Sequence, residues 1–466
     1  MYQVLQALKK LKQDKLFEIN FKEEKQSDLY SAILKDQLDL LVLSSKELEL
    51  KKDDDLDSIT VLGRLDPREI LLFKKDSFKK PSHTINFLSN SKRREINFKN
   101  FFENFAPISI RTKKIQFQSI VGSFQEKMNL FLSDGIDALL VSKASLDRLS
   151  LLNYPGSDEP EIKESRDKLK QILDTSLFMV LPLSMVPSAP GQGGITVVFK
   201  KGRDDLKTLL QKISYYNIHE EIEREILEIS TFPESSRSLI GLNCLKRSYG
   251  FVLFARGKDG NSDVVLQRLT TSHQPKSNSH EYLYPNKPEL QNIIRTPLEN
   301  LSKPPGGNLF VTRISSWHKT WKHSDISGLV WTSGLQVFKE LTDEDIWVHG
   351  CSDSLGEGED PDLNILFNET EFIKLSHVDS EGVKSRYRKF YSYKIEFKDF
   401  PDLRNRTHFY WTSAFQFDTA IEKYPMIANQ YHACAPGITR NYIQKKLGRP
   451  VDTFLSYESW LEYHTT

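Results

Sequence analysis

Short apolar runs separated by segments of helical periodicity recur along the whole chain, and this alternation limits the fold more than any other feature. Residues 38–44 (LDLLVLS), 59–62, 70–73 and 138–141 are each bounded by polar residues and too short for helices, so they read as buried strands. Val4, Leu5, Leu8 and Leu11 recur at helical spacing, and residues 126–132 and the stretch ending at Leu149 also read as helices. Strands alternating with helices predict an α/β multidomain protein with mostly parallel sheets.

A length of 466 residues fits three or four domains. Net charge is +1, from 64 Lys+Arg against 63 Asp+Glu, which gives no global field for nucleic acid or an anionic membrane. An anionic ligand must therefore be held by local basic clusters. Mean hydropathy is −0.47. The apolar stretch 176–186 is too short to span a bilayer and contains Pro182, and residues 1–10 have no apolar signal core. Cys244, Cys351 and Cys434 lie far apart with no CxxC pair, which argues against a disulfide framework or zinc site and fits a reducing compartment. The acidic run 357–362 lacks calcium-loop spacing and is assigned to solvent. A cytoplasmic protein with no metal, nucleic-acid or membrane partner is expected.

Two breaks punctuate the chain. Residues 153–166 (NYPGSDEPEIKESR) read as an exposed loop, and 271–308 is rich in Ser, Asn, Pro and Lys. Gly191-Gln-Gly-Gly194 reads as a turn into a strand and lacks GxGxxG or Walker spacing. Beyond the second break, residues 329–338 (LVWTSGLQVF) resemble 409–417 (FYWTSAFQF), each an apolar strand running through Trp-Thr-Ser into a helix. Two such α/β halves would face each other across a cleft.

An ordered series of motifs covers about residues 1–270: Asp39-Leu-Leu-Val-Leu-Ser-Ser-Lys-Glu47, Arg64-Leu-Asp-Pro-Arg-Glu69, Ser89-Asn-Ser-Lys-Arg-Arg94, Val121-Gly-Ser-Phe-Gln-Glu-Lys127, Ala144-Ser-Leu-Asp-Arg-Leu149, Pro190-Gly-Gln-Gly193 and Glu223-Arg224. In order and spacing the series resembles porphobilinogen deaminase (hydroxymethylbilane synthase). The resemblance implies two α/β domains of periplasmic-binding-protein type plus a small α+β domain. It implies Glu47 and Lys46 at the catalytic loop, and Ser91, Arg93, Arg94, Lys127 and Arg148 as partners for pyrrole carboxylates, which Arg can grip bidentately. Four departures stand out. Glu47 replaces the family's catalytic aspartate, and Ser236 stands at the cysteine that anchors a dipyrromethane cofactor. Val121 and Lys127 replace arginines. The usual N-terminal strand does not precede Gln3, which stands at the family's helix glutamine, so either the start is truncated or the site is incomplete. A serine hydroxyl is a poor nucleophile beside a thiolate. Cys244, eight residues on, reads as a core residue. These losses point to a degenerate deaminase, with dipyrromethane implied only if the region is active.

Residues 305–466 resemble uroporphyrinogen-III synthase through Phe310-Val-Thr-Arg313, the two Trp-Thr-Ser turns, and Ala433-Cys-Ala-Pro-Gly-Ile-Thr439. That family has two α/β lobes and closes hydroxymethylbilane into a ring bearing eight carboxylates. Backbone N–H groups at strand-to-helix turns suit such an anion. The candidates are Arg313, Thr332, Ser333, Thr412, Ser413 and Thr439, each Thr or Ser being open to a plain N-cap role. A tyrosine proposed as the family's proton donor falls at Phe417. His349 and Asp353 form an alternative acid–base pair, weighed against a polar loop.

The expected organisation is 1–80 plus 176–203, then 81–175, then 204–270 as deaminase-like domains, 271–304 as a linker and 305–466 as the synthase-like region. The implied function is tetrapyrrole (haem) biosynthesis, with ring closure in the second region and a separate deaminase supplying hydroxymethylbilane. The alternatives are a bifunctional enzyme starting from porphobilinogen and a non-catalytic tetrapyrrole-binding scaffold.

Overall fold

The computed structural model describes residues 26–48, 54–79, 83–120, 122–151, 160–299, 301–359, 363–367, 371–378, 385–398 and 400–465. Gln3, Val121 and the helix expected over residues 4–11 lie outside them. The chain divides into two compact units, residues 1–101 with 113–268, and 102–112 with 269–466.

Among the described residues the first unit contains three sheets. β1 (Leu41–Ser44), β2 (Leu56–Val61) and β8 (Ile195–Lys200) form an antiparallel sheet with β8 in the centre. Ile195, Val197 and Phe199 alternate onto one face and bury against Ile59 and Val61. β3 (Glu69–Lys74), β4 (Thr84–Leu88), β5 (Lys114–Gln118), β6 (Ala138–Ser142) and β7 (Ser176–Val180) form a mixed sheet in the order β5-β4-β6-β3-β7. β3 (EILLFK) is buried over five of its six residues, as a strand covered on both faces must be. β9 (Ile240–Arg247) and β10 (Gly250–Asp259) pair antiparallel, with β11 (Ser262–Thr270) at the free edge of β10. The helix Tyr216–Ser230 packs on β9.

The expectation of mostly parallel sheets is corrected for this unit. β8 returns from the second sheet's subdomain and enters between β1 and β2 against their direction, and β9–β10 is a hairpin. The exposed loop expected through residue 166 is also shorter, because a helix runs over Pro160–Thr175. Pro160 at its first position and Glu164 near its start favour that beginning.

In the second unit, β12 (Leu283–Tyr284) opens one sheet and β13 (Ile293–Pro297) opens another. The chain then builds β14 (Asn308–Val311), β15 (Val330–Thr332), β16 (Gly350–Cys351), β17 (Phe372–His377) and β18 (Arg388–Phe397) beside β13. It returns to the first sheet with β19 (His408–Trp411), β20 (Tyr431–Cys434) and β21 (Asp452–Thr453). The result is two α/β lobes, one inserted within the other, and among the described residues only β13 runs antiparallel to its neighbour. Residues 271–304, expected as a linker, therefore supply two strands, held by buried Leu283, Tyr284 and Ile293. The internal repeat has a structural counterpart. Trp331 Nε1 donates to Ser352 Oγ at 3.1 Å and Trp411 Nε1 donates to His432 Nδ1 at 2.9 Å, each partner lying 21 residues on. Among the described residues no helix is long and apolar enough to cross a membrane.

Candidate functional site

In the first unit, the strand β1 ends in a short turn over Ser45–Glu47 that carries Lys46 and Glu47. The Pro190-Gly-Gln-Gly193 turn fixes that loop. Gly191 has φ +74°, and a Cβ there would meet the Ser45 backbone at 2.6 Å; Gly193 has φ +85°, and a Cβ would meet Leu65 O at 2.2 Å. Glycine is required at both positions because other residues would carry a side chain into backbone and resist positive φ. Ser45 N donates to Gly194 O at 3.0 Å, and Ser45 Oγ lies 2.7 Å from Thr196 Oγ1.

Around this loop the structure brings together five of the expected residues. Lys46 Nζ lies 3.8 Å from Glu47 Oε1. Burial, then the positive charges of Arg94 and Lys46, lower the Lys127 pKa. Arg148 presents its outer side to solvent, yet dense packing behind it lowers its pKa, with the Glu47 carboxylate acting against that shift. Four cations thus gather beside the Glu47 carboxylate, although Arg94 is also paired with Glu69 and Glu126 also acts on Lys127, and such a field suits an acidic ligand.

Arg93 is not part of this open cluster. It is buried, donating from Nη1 to Pro187 O at 2.6 Å and from Nη2 to Glu69 Oε1 at 2.8 Å. Arg94 Nε lies 2.8 Å from Glu69 Oε2, in an ion pair off the hydrogen-bond axis. Burial alone would raise the Glu69 carboxyl; Arg94 and Arg93 outweigh it and hold its pKa low. Ser91 precedes the helix Lys92–Phe105, and its Oγ accepts from Arg94 N at 3.5 Å, an N-cap position.

Sequence reasoning missed the hub beneath the site. Glu225, fully buried on the helix Tyr216–Ser230, accepts from Arg64 Nη1 and Nη2 at 2.8 and 2.9 Å, Gly191 N at 2.6 Å and Cys244 N at 2.8 Å. One carboxylate thus ties together the segment after β2, the glycine turn and β9. The neighbouring Glu223-Arg224 is legible as a motif; burial of Glu225 is invisible in a helix rich in acids.

In the second unit, a cleft of about 700 Å³ opens between the two lobes. Arg313, Ser333, Thr412 and Thr439 line it, as expected. The helices Leu335–Asp343 and Ile438–Leu447 begin at the cleft, with Ser333, Gly334, Gly437 and Ile438 on its wall, and Thr412 lies just before the helix Ala414–Lys423. Arg313 Nη2 crosses to Thr412 O at 3.1 Å. The lobes touch where glycines allow it: a Cβ on Gly356 would meet Gly437 Cα at 2.7 Å.

The other two expected turn residues act locally. Thr332 is fully buried and donates to Gly334 O, and Ser413 Oγ caps its helix by accepting from Gln416 N at 3.1 Å. The His349–Asp353 acid–base pair is not supported, since neither residue lines the cleft. His349 is buried, accepts from Val330 N at 3.0 Å, and is pushed down to about 3 by burial and by His323. Phe417 is a core residue. The assignment of Glu357 to solvent is corrected. It is buried on the cleft wall because Lys374 from β17 pairs with it at 2.5 Å. Sequence reasoning missed Arg295, Ser315, Tyr410 and Tyr457, which also line the cleft.

Residues 7–208 match the family described as porphobilinogen deaminase, dipyromethane cofactor binding domain. The porphobilinogen deaminase of Caldicellulosiruptor saccharolyticus is 24% identical over 214 residues, which span 46% of this chain and only 62% of that protein. The probable porphobilinogen deaminase of Picrophilus torridus is 22% identical over 258 residues, 55% of this chain and 79% of that protein. Among solved structures, the unliganded L-cystine solute receptor of Neisseria gonorrhoeae aligns at 13% identity with a TM-score of 0.24, over 50% of this chain and 77% of its own. The N-terminal part of this α/β chain is therefore a porphobilinogen-deaminase-like region. The family match ends at residue 208.

Neither Ser236 nor Cys244, the two candidate anchors the sequence offers, is placed to hold dipyrromethane covalently. Ser236 is buried and donates to Asp259 Oδ1 at 2.6 Å, so its hydroxyl is already committed. Cys244 lies on β9 with its side chain in the core, and burial followed by the Glu225 and Glu221 charges pushes its thiol up to about 12. A thiol so protonated is a weak nucleophile. Intact-mass spectrometry of the purified protein should return the unmodified chain mass, and a mass increment matching a dipyrromethane would refute this.

Proposed function

We propose that the protein acts in tetrapyrrole biosynthesis, and that its second unit closes hydroxymethylbilane to uroporphyrinogen III. The observation that carries this reading is the two-lobed cleft of about 700 Å³, into which helix N-termini, Arg313 and Arg295 converge. That volume lies within the roughly 300–1,000 Å³ of sites that enclose an organic ligand. Unpaired N–H groups at helix starts and guanidinium groups both favour carboxylates, and the bilane carries eight. Held by its carboxylates in a cleft between lobes, the linear chain has its two ends brought together, which removes part of the entropic cost of ring closure. The deaminase-like region supports the same pathway, since its relatives are deaminases that supply the bilane.

In this reading the first unit is a degenerate deaminase; Ser236, which the resemblance puts at the cofactor anchor, supports it because its hydroxyl is taken by Asp259. The gathering of Lys46, Glu47, Arg94, Lys127 and Arg148 favours a second reading, in which the first unit still binds or converts porphobilinogen.

The test is to supply freshly generated hydroxymethylbilane and measure the ratio of uroporphyrinogen III to I. Excess isomer III over the spontaneous isomer I is expected. Isomer I alone at the background rate would overturn ring closure and leave a binding protein. Porphobilinogen supplied alone is expected to give no tetrapyrrole; its conversion would favour the second reading.

A further inference from the structure

Among the described residues, three arginines with enclosed side chains around the first unit's glycine turn each have a carboxylate. Arg64 pairs with Glu225, Arg68 with Asp66 and Arg93 with Glu69. The cleft of the second unit breaks that rule. Arg295 and Arg313 stand close enough for Arg313 to oppose the Arg295 charge. Among the described residues no carboxylate pairs with either. Arg313 is satisfied by a carbonyl, Thr412 O. Arg295 Nε is enclosed without an acceptor, and so is Ser315 Oγ on the same wall. The two acids lining the cleft are engaged elsewhere: Glu357 with Lys374 and Arg386 N, Glu340 with Gln336.

Arg295 is placed by β13, which pairs antiparallel with β18 in the register Arg295↔Ile395. Ile293, two residues back on the same face, is buried and pins the strand, while Ile294 and Thr296 face solvent. β13 packs on the short turn Ile314–Ser316 that follows Arg313, so two chain segments deliver two guanidinium groups to one wall. Adjacent like charges with a desolvated, unpaired donor are costly in an empty cleft and are relieved by an anion. Burial, then Arg313, lowers the Arg295 pKa to about 10, which leaves it charged at neutral pH.

We infer that Arg295 and Arg313 form a two-guanidinium clamp for carboxylates of the ligand, and that the clamp makes the cleft select ligands by how many carboxylates they carry. This rests on the proposed polycarboxylate tetrapyrrole as occupant. Two charges on one wall grip a ring bearing a carboxylate on each side of a pyrrole more strongly than one bearing a single acid. The clamp thereby favours the octacarboxylate over tetrapyrroles that have lost carboxyl groups.

The test is fluorescence titration of the full chain with an octacarboxylate and a tetracarboxylate porphyrin, at low and high salt, for wild type, Arg295→Gln and Arg295→Lys. Loss of a charge-assisted bond should weaken octacarboxylate binding by roughly tenfold to a hundredfold in Arg295→Gln. The preference for eight carboxylates over four should narrow, and the salt dependence should flatten. Arg295→Lys keeps the charge but loses the fork, so a smaller loss is expected. If Arg295→Gln does not fold, Arg295→Lys decides alone, and wild-type affinity in it overturns the clamp. Unchanged affinity and selectivity in Arg295→Gln overturns the clamp while leaving the polycarboxylate cleft intact. No binding of either porphyrin by wild type overturns the proposed function and the clamp together.

Discussion

Truncating Glu225 to alanine should cost the first unit about 3–5 kcal/mol, the usual result of stranding one half of a buried ion pair. The carboxylate is fully buried and has four donors: two from Arg64, one from Gly191 and one from Cys244. Its removal leaves the Arg64 guanidinium, itself buried, with only the Gln192 carbonyl and a distant Glu221 at 3.7 Å. The Gly191 and Cys244 N–H groups are orphaned as well. The loss is large against a typical domain stability of about 5–15 kcal/mol. Urea unfolding followed by far-UV circular dichroism should show the first unit's transition moving to much lower denaturant. A double variant, Arg64→Met with Glu225→Leu, should recover part of the loss, because apolar residues of similar volume replace a buried pair at little net cost. A Glu225→Ala transition within about 1 kcal/mol of wild type would mean that water reaches the hub. The same substitution should loosen the Lys46–Glu47 loop, since Gly191 holds both the carboxylate and the Ser45 backbone.

What the sequence revealed and what it hid divide along the range of the interaction. The paired Trp-Thr-Ser turns are local, strand to turn to helix, and each tryptophan finds its partner 21 residues on in the next strand or just past it. The glycines of Pro190-Gly-Gln-Gly193 are local too, since positive φ demands them. Arg93 and Arg94 are the opposite case. They are chemically identical neighbours about 100° apart on a helix. Glu69 on a distant strand pairs with both, but Pro187 O also takes the first, which is buried, while the second reaches the edge of the Lys46 and Lys127 cluster. Nothing within ten residues of them distinguishes the two. Ser236 likewise reads only as the residue at the cofactor-anchor position until Asp259, 23 positions on, takes its hydroxyl. Arg295 was hidden by composition: Ser, Asn, Pro and Lys around it look like a linker, and two short strands pass beneath that signal. The alternation of buried Ile293 and half-buried Arg295 was the only local trace of β13.

Acidification should unfold the second unit well before the first. His349 and His432 are buried, and burial, joined by His323 in one case and Arg449 in the other, pushes their pKa values down to about 3 and about 4. His464 is lowered to about 4 by burial and by His408, His273 and Lys276, and burial also lowers His273, His323 and His408. All lie in this unit. A histidine in the unfolded chain takes its proton near pH 6.5, whereas these folded ones refuse it. Stability is therefore whole above about pH 6.5 and falls as pH drops toward the folded values, because the unfolded state binds more protons. At pH 5 the two fully buried histidines alone cost about 2 kcal/mol each. The first unit carries the other kind of group. Arg94 and Arg93 hold Glu69 below the ordinary carboxylate value, and Arg68 and Lys143 do so for Asp66, in each case against burial. Such groups keep their full contribution until pH falls below about 4. All six tryptophans lie between Trp317 and Trp460, so their emission reports on the second unit alone. Tryptophan emission should shift red with a midpoint of about pH 5 while far-UV circular dichroism from the first unit persists to lower pH. Asparagine in place of His432 can still accept from Trp411 Nε1 but does not titrate, so His432→Asn should move the midpoint toward lower pH. A single transition below pH 4 seen equally by both probes would mean that the buried histidines gain protons without unfolding, through water entering beside Trp411 and Trp331.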